Sequence, residues 1–198
     1  MTKTATTSVD IHPLIAKRWS PRSFDAQASI TDQEVLALLE AARWAPSSNN
    51  TQPWRFAVVR REDELFGTVT EALVGFNKSW APRASAFIVV GVESVDAEGR
   101  ERKWSDYDTG IASALLTTQA QELDLHVHQM GGFNPDSLHA TLGFNERTKL
   151  ITVIAVGRIG STDQLSEELR QRETAPRQRL ELSELVVHGL PGSIKNHS

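Results

Sequence analysis

The chain has 198 residues, 39% of them hydrophobic and 23% charged, with a formal charge of −4, which fits one ordinary globular domain. It contains no cysteine, so disulfides, thiolate metal sites and cysteine nucleophiles are excluded, and its acidic balance argues against nucleic-acid binding. No stretch approaches the roughly 20 apolar residues of a membrane span, and the polar start MTKTATTSVDIHP carries no secretory signal, so a cytoplasmic protein that meets neither nucleic acid nor membrane is expected.

Residues 1–10 are polar and are expected to fray. Residues 12–17 (HPLIAK) read as a short helix leading into a basic, hydroxyl-bearing turn, Arg18-Trp19-Ser20-Pro21-Arg22. Thr31 and Glu34 then have the spacing of a capping box, and Val35, Leu38, Leu39 and Ala42 make one buried helical stripe. Pro46 disfavours helical geometry at Ala45 and ends that helix. A polar loop, Ser47 to Gln52, closes against Pro53 and Trp54. Residues 56–59 read as a strand, and Leu65, Val69, Ala72, Leu73 and Phe76 are spaced as a second amphipathic helix. Residues 86–92 are a continuous apolar run, the pattern of a central strand buried on both faces. A charged loop occupies 94–106. Residues 108–123 follow as a helix with almost no polar face, which predicts burial in the core. Residues 125–130 read as a strand broken by Gly131 and Gly132, and Asn134-Pro135-Asp136 is a helix start. A further strand is expected over 150–156, a charged helix over 163–173, and an extended arm over the last 25 residues. Alternating strands and helices predict α+β or α/β layering.

The chemistry-bearing residues cluster in four places. Arg18, Ser20 and Arg22 put two guanidinium forks and a hydroxyl in one turn, a set that binds phosphate bidentately; a solvated basic turn is the alternative. Arg177 and Arg179 form a second basic pair, which by itself reads as two exposed arginines of a charged tail. Ser47, Ser48, Asn50 and Gln52 offer donors and acceptors to a polar heterocycle, or cap a turn, the reading preferred for Asn49. Asn77, just before the central strand, reads as a helix C-cap. Gly131 and Gly132 permit close backbone approach to a ligand, or form a simple turn. His126 and His128 share a strand face, but with no third ligand nearby a metal site is not expected. There is no dinucleotide or phosphate-loop motif and no serine nucleophile elbow. Of the five tryptophans, Trp44 and Trp54 are expected in the core. Trp80 and Trp104 are expected at a substrate mouth or a subunit interface.

R-x-S-x-R, an acidic-capped helix, then A-R-W-A-P-S-S-x-N-x-Q-P-W-R-F, in this order and spacing, resembles the N-terminal signature of the FMN-dependent nitroreductase family. The resemblance selects an α+β fold, a mainly antiparallel sheet flanked by helices. It implies one domain over 1–198, with a C-terminal arm, 174–198, packing on the partner subunit of a homodimer. It implies FMN, held by Arg18, Trp19, Ser20, Arg22, Ser48, Asn50, Gln52, Asn77, Met130, Gly131, Gly132, Arg177 and Arg179. Both basic elements would meet the phosphate, and the Gly131 N–H would donate to flavin N5. Many members carry an acidic residue at the place of Gly131, so this chain follows the glycine-bearing branch. The activity implied is transfer of hydride from NADH or NADPH through FMN to a small electron-poor acceptor such as a nitroaromatic or quinone. No side chain is assigned as catalytic. Two other readings compete: an FMN-binding storage protein without turnover, and a flavin-dependent dehalogenase or flavin-cleaving enzyme in which 94–106 would serve as lid.

Overall fold

The computed structural model describes residues 3–191. Its elements, in order, are α1 (Pro13–Lys17), α2 (Asp32–Arg43), β1 (Trp54–Arg60), α3 (Phe66–Ala72), α4 (Asn77–Trp80), β2 (Ala86–Glu93), α5 (Ser105–Glu122), β3 (His126–Met130), α6 (Asp136–His139), β4 (Thr148–Gly157), α7 (Glu167–Thr174) and α8 (Leu182–Leu185), with short 3-10 turns between some of them. The four strands form one antiparallel sheet in the order β1-β2-β4-β3.

The run AFIVVGVE has no polar face to give to solvent, so it is satisfied only between two apolar layers. It is the inner strand β2, buried along its whole length. Alternate residues serve opposite layers. Phe87 and Val89 join Val69, Leu73, Trp80, Leu138 and Leu169 on the α3, α4, α6 and α7 side. Ile88 and Val90 join Val35, Leu38, Ala112 and Leu116 on the α2 and α5 side. The mainly antiparallel α+β architecture expected from the sequence is the one observed.

Local signals hold where their partners are close in sequence. Thr31 caps α2 by accepting from Glu34 N, and the Glu34 carboxylate accepts from Thr31 N at 2.8 Å, the complete capping box. At α6 the expected start shifts by one residue: Asn134 Oδ1 accepts from Asp136 N at 3.2 Å, but Pro135 rather than Asn134 is the N-cap.

Several expectations are corrected. The second amphipathic helix stops at Ala72, because the chain turns extended at Leu73 and left-handed at Gly75, φ +59°, leaving Phe76 exposed before α4. The charged helix begins at Glu167, capped by the Ser166 hydroxyl, after a separate 3-10 turn at Thr162–Gln164. α5 is buried on one face only: Ala112, Leu116 and Ala120 enter the core, while Tyr107 (69% exposed) and Leu115 do not. Trp44 lies outside the core at 72% exposure, its indole N–H donating to Glu40 at 2.9 Å. Trp80 lies at no mouth: it is 0% exposed, stacked on Phe24 at 6.0 Å and tilted on His128 at 4.5 Å. The arm contains the short helix α8, and its last residues, 192–198, lie outside the described ones. The N-terminal residues expected to fray are tied down from Lys3: Ala5 N donates to Ala16 O at 2.8 Å, and Lys3 Nζ donates to Glu173 O at 2.7 Å. Among the described residues no helix is long and apolar enough to cross a membrane.

Candidate functional site

The basic turn is gripped from two sides. Glu173, fully buried near the end of α7, accepts from Arg22 N at 2.9 and 3.0 Å, from Ser23 N at 2.9 Å and from Ser23 Oγ at 2.7 Å. The Arg22 guanidinium stands 3.8 Å from the same carboxylate. From β3, His128 Nδ1 lies 2.9 Å from Pro21 O. A carbonyl only accepts, so Nδ1 carries the hydrogen.

Burial, the largest cause, lowers the His128 pKa to about 4; the Pro21 hydrogen bond and Glu173 oppose this, and the Arg22 charge adds to it. A free histidine titrates near 6.5, so between the two values the unfolded chain binds a proton that the folded chain refuses. The depressed folded value therefore stabilises above about pH 6.5, and that stability is lost as pH falls towards about 4. The stability gap between the parent and His128→Asn should narrow by about 2–3 kcal/mol from pH 7 to pH 4. Urea midpoints across that range check this, and a gap independent of pH would refute it.

Above this turn the two ends of the chain meet. Arg18, Arg177 and Arg179 line one cleft of ≈ 800 Å³, with apolar walls from Val9, Ile15, Leu180 and Leu182. Arg177 is held by Lys3 O at 2.8 Å and Ala16 O at 2.7 Å, and Arg179 by Gln178 O at 2.7 Å. Arg18 reaches Ser20 Oγ at 3.4 Å. None of the three is ion-paired to a carboxylate among the described residues. Burial first, then the charges of Arg177 and Arg179, lower the Arg18 pKa; like charges are held together there, and an anion would relieve them. Arg22 does not line this cleft, because its backbone and side chain both address Glu173. Trp19 is buried, edge-on to His126 at 6.4 Å, so its ring belongs to the core.

At the end of β3 the chain opens. Space is free where a Cβ would stand at Gly131, whereas at Gly132 it would meet Val74 Cγ2 at 3.1 Å and Asn77 Nδ2 at 3.2 Å. Asn77 starts α4, which corrects the C-cap alternative, and its Nδ2 donates to Gly132 O at 3.3 Å. Met130 is buried, its carbonyl accepting from Thr152 Oγ1 at 3.1 Å.

The amide loop is a third locus. Asn49, Asn50 and Gln52 all have positive φ (52°, 55° and 45°), conformations that cost of order 1 kcal/mol each and persist where the surroundings impose them. Here Ser48 N donates to buried Asp108 at 3.0 Å, Gln52 N to Ser47 Oγ at 3.1 Å and Arg55 Nη1 to Gln52 O at 3.0 Å. Ser48, Asn49 and Thr51 face the 96–105 loop and its exposed Trp104 across a cleft of ≈ 690 Å³.

Strand geometry relates these loci. Pro21 touches His128, and Gly131 lies three residues further, roughly 10 Å along the strand. The amide loop enters β1, at the far edge of the sheet from β3. The registers carry Met130 across Val153 and Val89 to Ala57, three residues inside the start of β1, so the two loops stand at least three strand spacings apart, about 14 Å. One chain thus joins an arginine cleft to a glycine–amide corner, and carries its hydroxyl–amide loop elsewhere. Sequence reasoning missed Glu173, Lys3 and Asp108. Nothing local separates Glu173 from its solvated helix neighbours, while Asp108 showed only as an acid of a helix's first turn. Among the described residues no cluster of three or more metal-binding side chains occurs, His126 and His128 included.

Residues 15–158 match the model of the nitroreductase family, and the chain belongs to that family. It is 32% identical over 147 residues to an uncharacterised 15.4 kDa protein of Mycolicibacterium smegmatis, covering 70% of this chain and 98% of that one. It is 34% identical over 114 residues to the oxygen-insensitive NADPH nitroreductase of Helicobacter acinonychis, 57% of this chain and only 53% of that enzyme. A solved structure described as an oxidoreductase containing FMN superposes with a TM-score of 0.87 at 31% identity, over 93% of this chain and 94% of that one.

Proposed function

We propose that this chain is an FMN-dependent oxidoreductase that passes hydride from NADH or NADPH to a small electron-poor acceptor such as a nitroaromatic or quinone. The observation that carries the reading is the convergence of Arg18, Arg177 and Arg179, from the two ends of the chain, on one cleft. The residues fit the cofactor. A phosphate monoester brings close to two negative charges, which three guanidiniums without carboxylate partners among the described residues would bind through forked hydrogen bonds. Asn77 and the main chain at Gly131 and Gly132 offer both donors and acceptors to a flavin ring, and the free space at Gly131 admits a ligand close to the backbone. FMN, when bound, supplies the hydride chemistry. The arginines would hold its phosphate and the glycine corner would orient its ring. Kinship with the NADPH nitroreductase of H. acinonychis and with a structure containing FMN supports this.

We infer further that the site is completed in a homodimer. The Ser48, Asn50 and Gln52 loop lies away from the glycine corner of its own chain, so a second copy would supply it. The exposed face of α5, at Tyr107 and Leu115, and the open side chains of Leu180 and Leu185 on the arm support such a pairing.

Anaerobic stopped-flow mixing of the FMN-loaded protein with NADH or NADPH tests the function. The flavin absorbance should bleach with at least one nucleotide and return on addition of a nitroaromatic. Protein that retains FMN but is reduced by neither nucleotide would be a storage protein, and the proposal would fall. Light scattering should give a dimer at micromolar concentration; a monomer would remove the shared site.

A further inference from the structure

We propose that Lys3 is a positioning residue of the anion cleft, acting through Arg177; this rests on the reading that the cleft holds the FMN phosphate. The N-terminal segment crosses the end of α7, where a helix leaves its last carbonyls without intrahelical donors. The Lys3 ammonium fills that gap, donating to Glu173 O at 2.7 Å and Ala175 O at 2.6 Å. A cation there also complements the negative end of the helix dipole. The same residue turns its own carbonyl to Arg177, whose Nη1 donates to it at 2.8 Å and to Ala16 O at 2.7 Å. Lys3 Nζ lies 5.0 Å from the centre of the Trp19 ring, and Trp19 follows Arg18 directly. Ala5 N, two residues on, is bonded to the same Ala16 O at 2.8 Å.

These bonds make one chain of fixings: α7, Lys3, Arg177. The anchored ammonium of Lys3 fixes the residue whose carbonyl accepts from Arg177. Arg177 carries five donors in a rigid fork. Spending one nitrogen on Lys3 O and Ala16 O fixes the plane of that fork and leaves its other edge for the cleft. A guanidinium so oriented before binding loses less freedom when it meets an anion. Without the anchor, Arg177 should explore several rotamers, and the phosphate should pay for ordering it.

The test is titration of the full-length apoprotein with FMN and with riboflavin, which lacks the phosphate, at one salt concentration. Lys3→Met should raise the FMN dissociation constant roughly fivefold and leave that of riboflavin within about twofold, a phosphate-specific loss. Lys3→Arg, which can reach both carbonyls, should restore the parent values. In an Arg177→Ala background, Lys3→Met should have no further effect. Lys3→Gln is the milder variant should Lys3→Met fold poorly, and its phosphate-specific loss should be smaller but in the same direction. Equal weakening of both ligands would make Lys3 a stabilising residue only and overturn the proposal. Full additivity with Arg177→Ala would mean that Lys3 acts by its own charge, which also overturns it. If the parent binds FMN no better than riboflavin, the phosphate reading itself fails. If the parent discriminates and Arg18→Ala abolishes that while Lys3→Met does not, the role of Lys3 alone fails.

Discussion

Arg18→Ala and Arg179→Ala should each raise the FMN dissociation constant about ten- to a hundredfold and leave riboflavin affinity unchanged. Charge-assisted hydrogen bonds to a phosphate contribute roughly 1.5–3 kcal/mol each, and about 1.4 kcal/mol is tenfold in affinity. Among the described residues, Arg179 donates to the carbonyl of its neighbour Gln178 and Arg18 makes one long contact to Ser20, with no carboxylate partner for either. Removing such an arginine from the free protein should change stability by less than about 0.5 kcal/mol. For Arg18 the change should be neutral or favourable, since its charge is opposed there by burial and by Arg177 and Arg179. Arg22→Ala is a poorer probe. Its guanidinium faces a buried carboxylate, so its loss should lower stability as well as affinity. Fluorescence titration of apoprotein with both ligands at fixed salt decides the matter. An arginine variant that loses FMN and riboflavin equally does not read the phosphate.

Glu173→Ala should cost about 3–5 kcal/mol of folding stability, because a fully buried acceptor of three hydrogen bonds is removed. Glu173 is fully buried, and the main-chain N–H groups of Arg22 and Ser23 and the Ser23 hydroxyl all end on it. Deleting the carboxylate strands these donors, each at roughly 1–3 kcal/mol where water cannot replace the lost acceptor. The Arg22 guanidinium loses its neighbour as well. Glu167→Ala, on the same helix with an exposed side chain, should stay within about 0.5 kcal/mol and serves as the control. Urea unfolding of the three proteins at one pH gives the comparison. A loss below about 1 kcal/mol for Glu173→Ala would mean that the turn keeps its shape without the carboxylate, and the account of how the arginine turn is held would be wrong. The effect on FMN should follow, since the turn that Glu173 grips is continuous with Arg18, which lines the cleft.

What could be read from the chain alone is what depends on neighbours close in sequence. The capping box at Thr31 and Glu34 needs two residues three apart. The inner strand at Ala86–Glu93 announces itself because no arrangement but burial on both faces suits an unbroken apolar run. The basic turn, the second basic pair and the glycine pair were also legible, because arginine, hydroxyl and glycine signal anion binding and close approach wherever they fall. Family resemblance then joined them into one expected site.

Packing between distant segments decided the rest. Trp80 stands among the polar residues Asn77, Lys78 and Ser79, and local context put it at a surface. Its burial comes from Phe24 and His128, which only the folded chain brings to it. Trp44 erred the other way: the buried stripe Val35, Leu38 and Ala42 runs on to Ala45, and Trp44, two residues past Ala42, stands about 200° around the helix from it. Glu173 is indistinguishable in sequence from Glu167 and Glu168; its carboxylate is singled out by a turn 150 residues earlier in the chain. Lys3 looked like part of a frayed end until the end of α7 supplied carbonyls for it to meet. Whether Arg18 and Arg22 act together was likewise beyond the sequence. Their spacing is that of one phosphate clamp, but a buried carboxylate beneath the turn draws Arg22 to itself and leaves Arg18 with Arg177 and Arg179. Spacing along a chain tells which residues can meet one ligand, and long-range burial tells which of them remain free to do so.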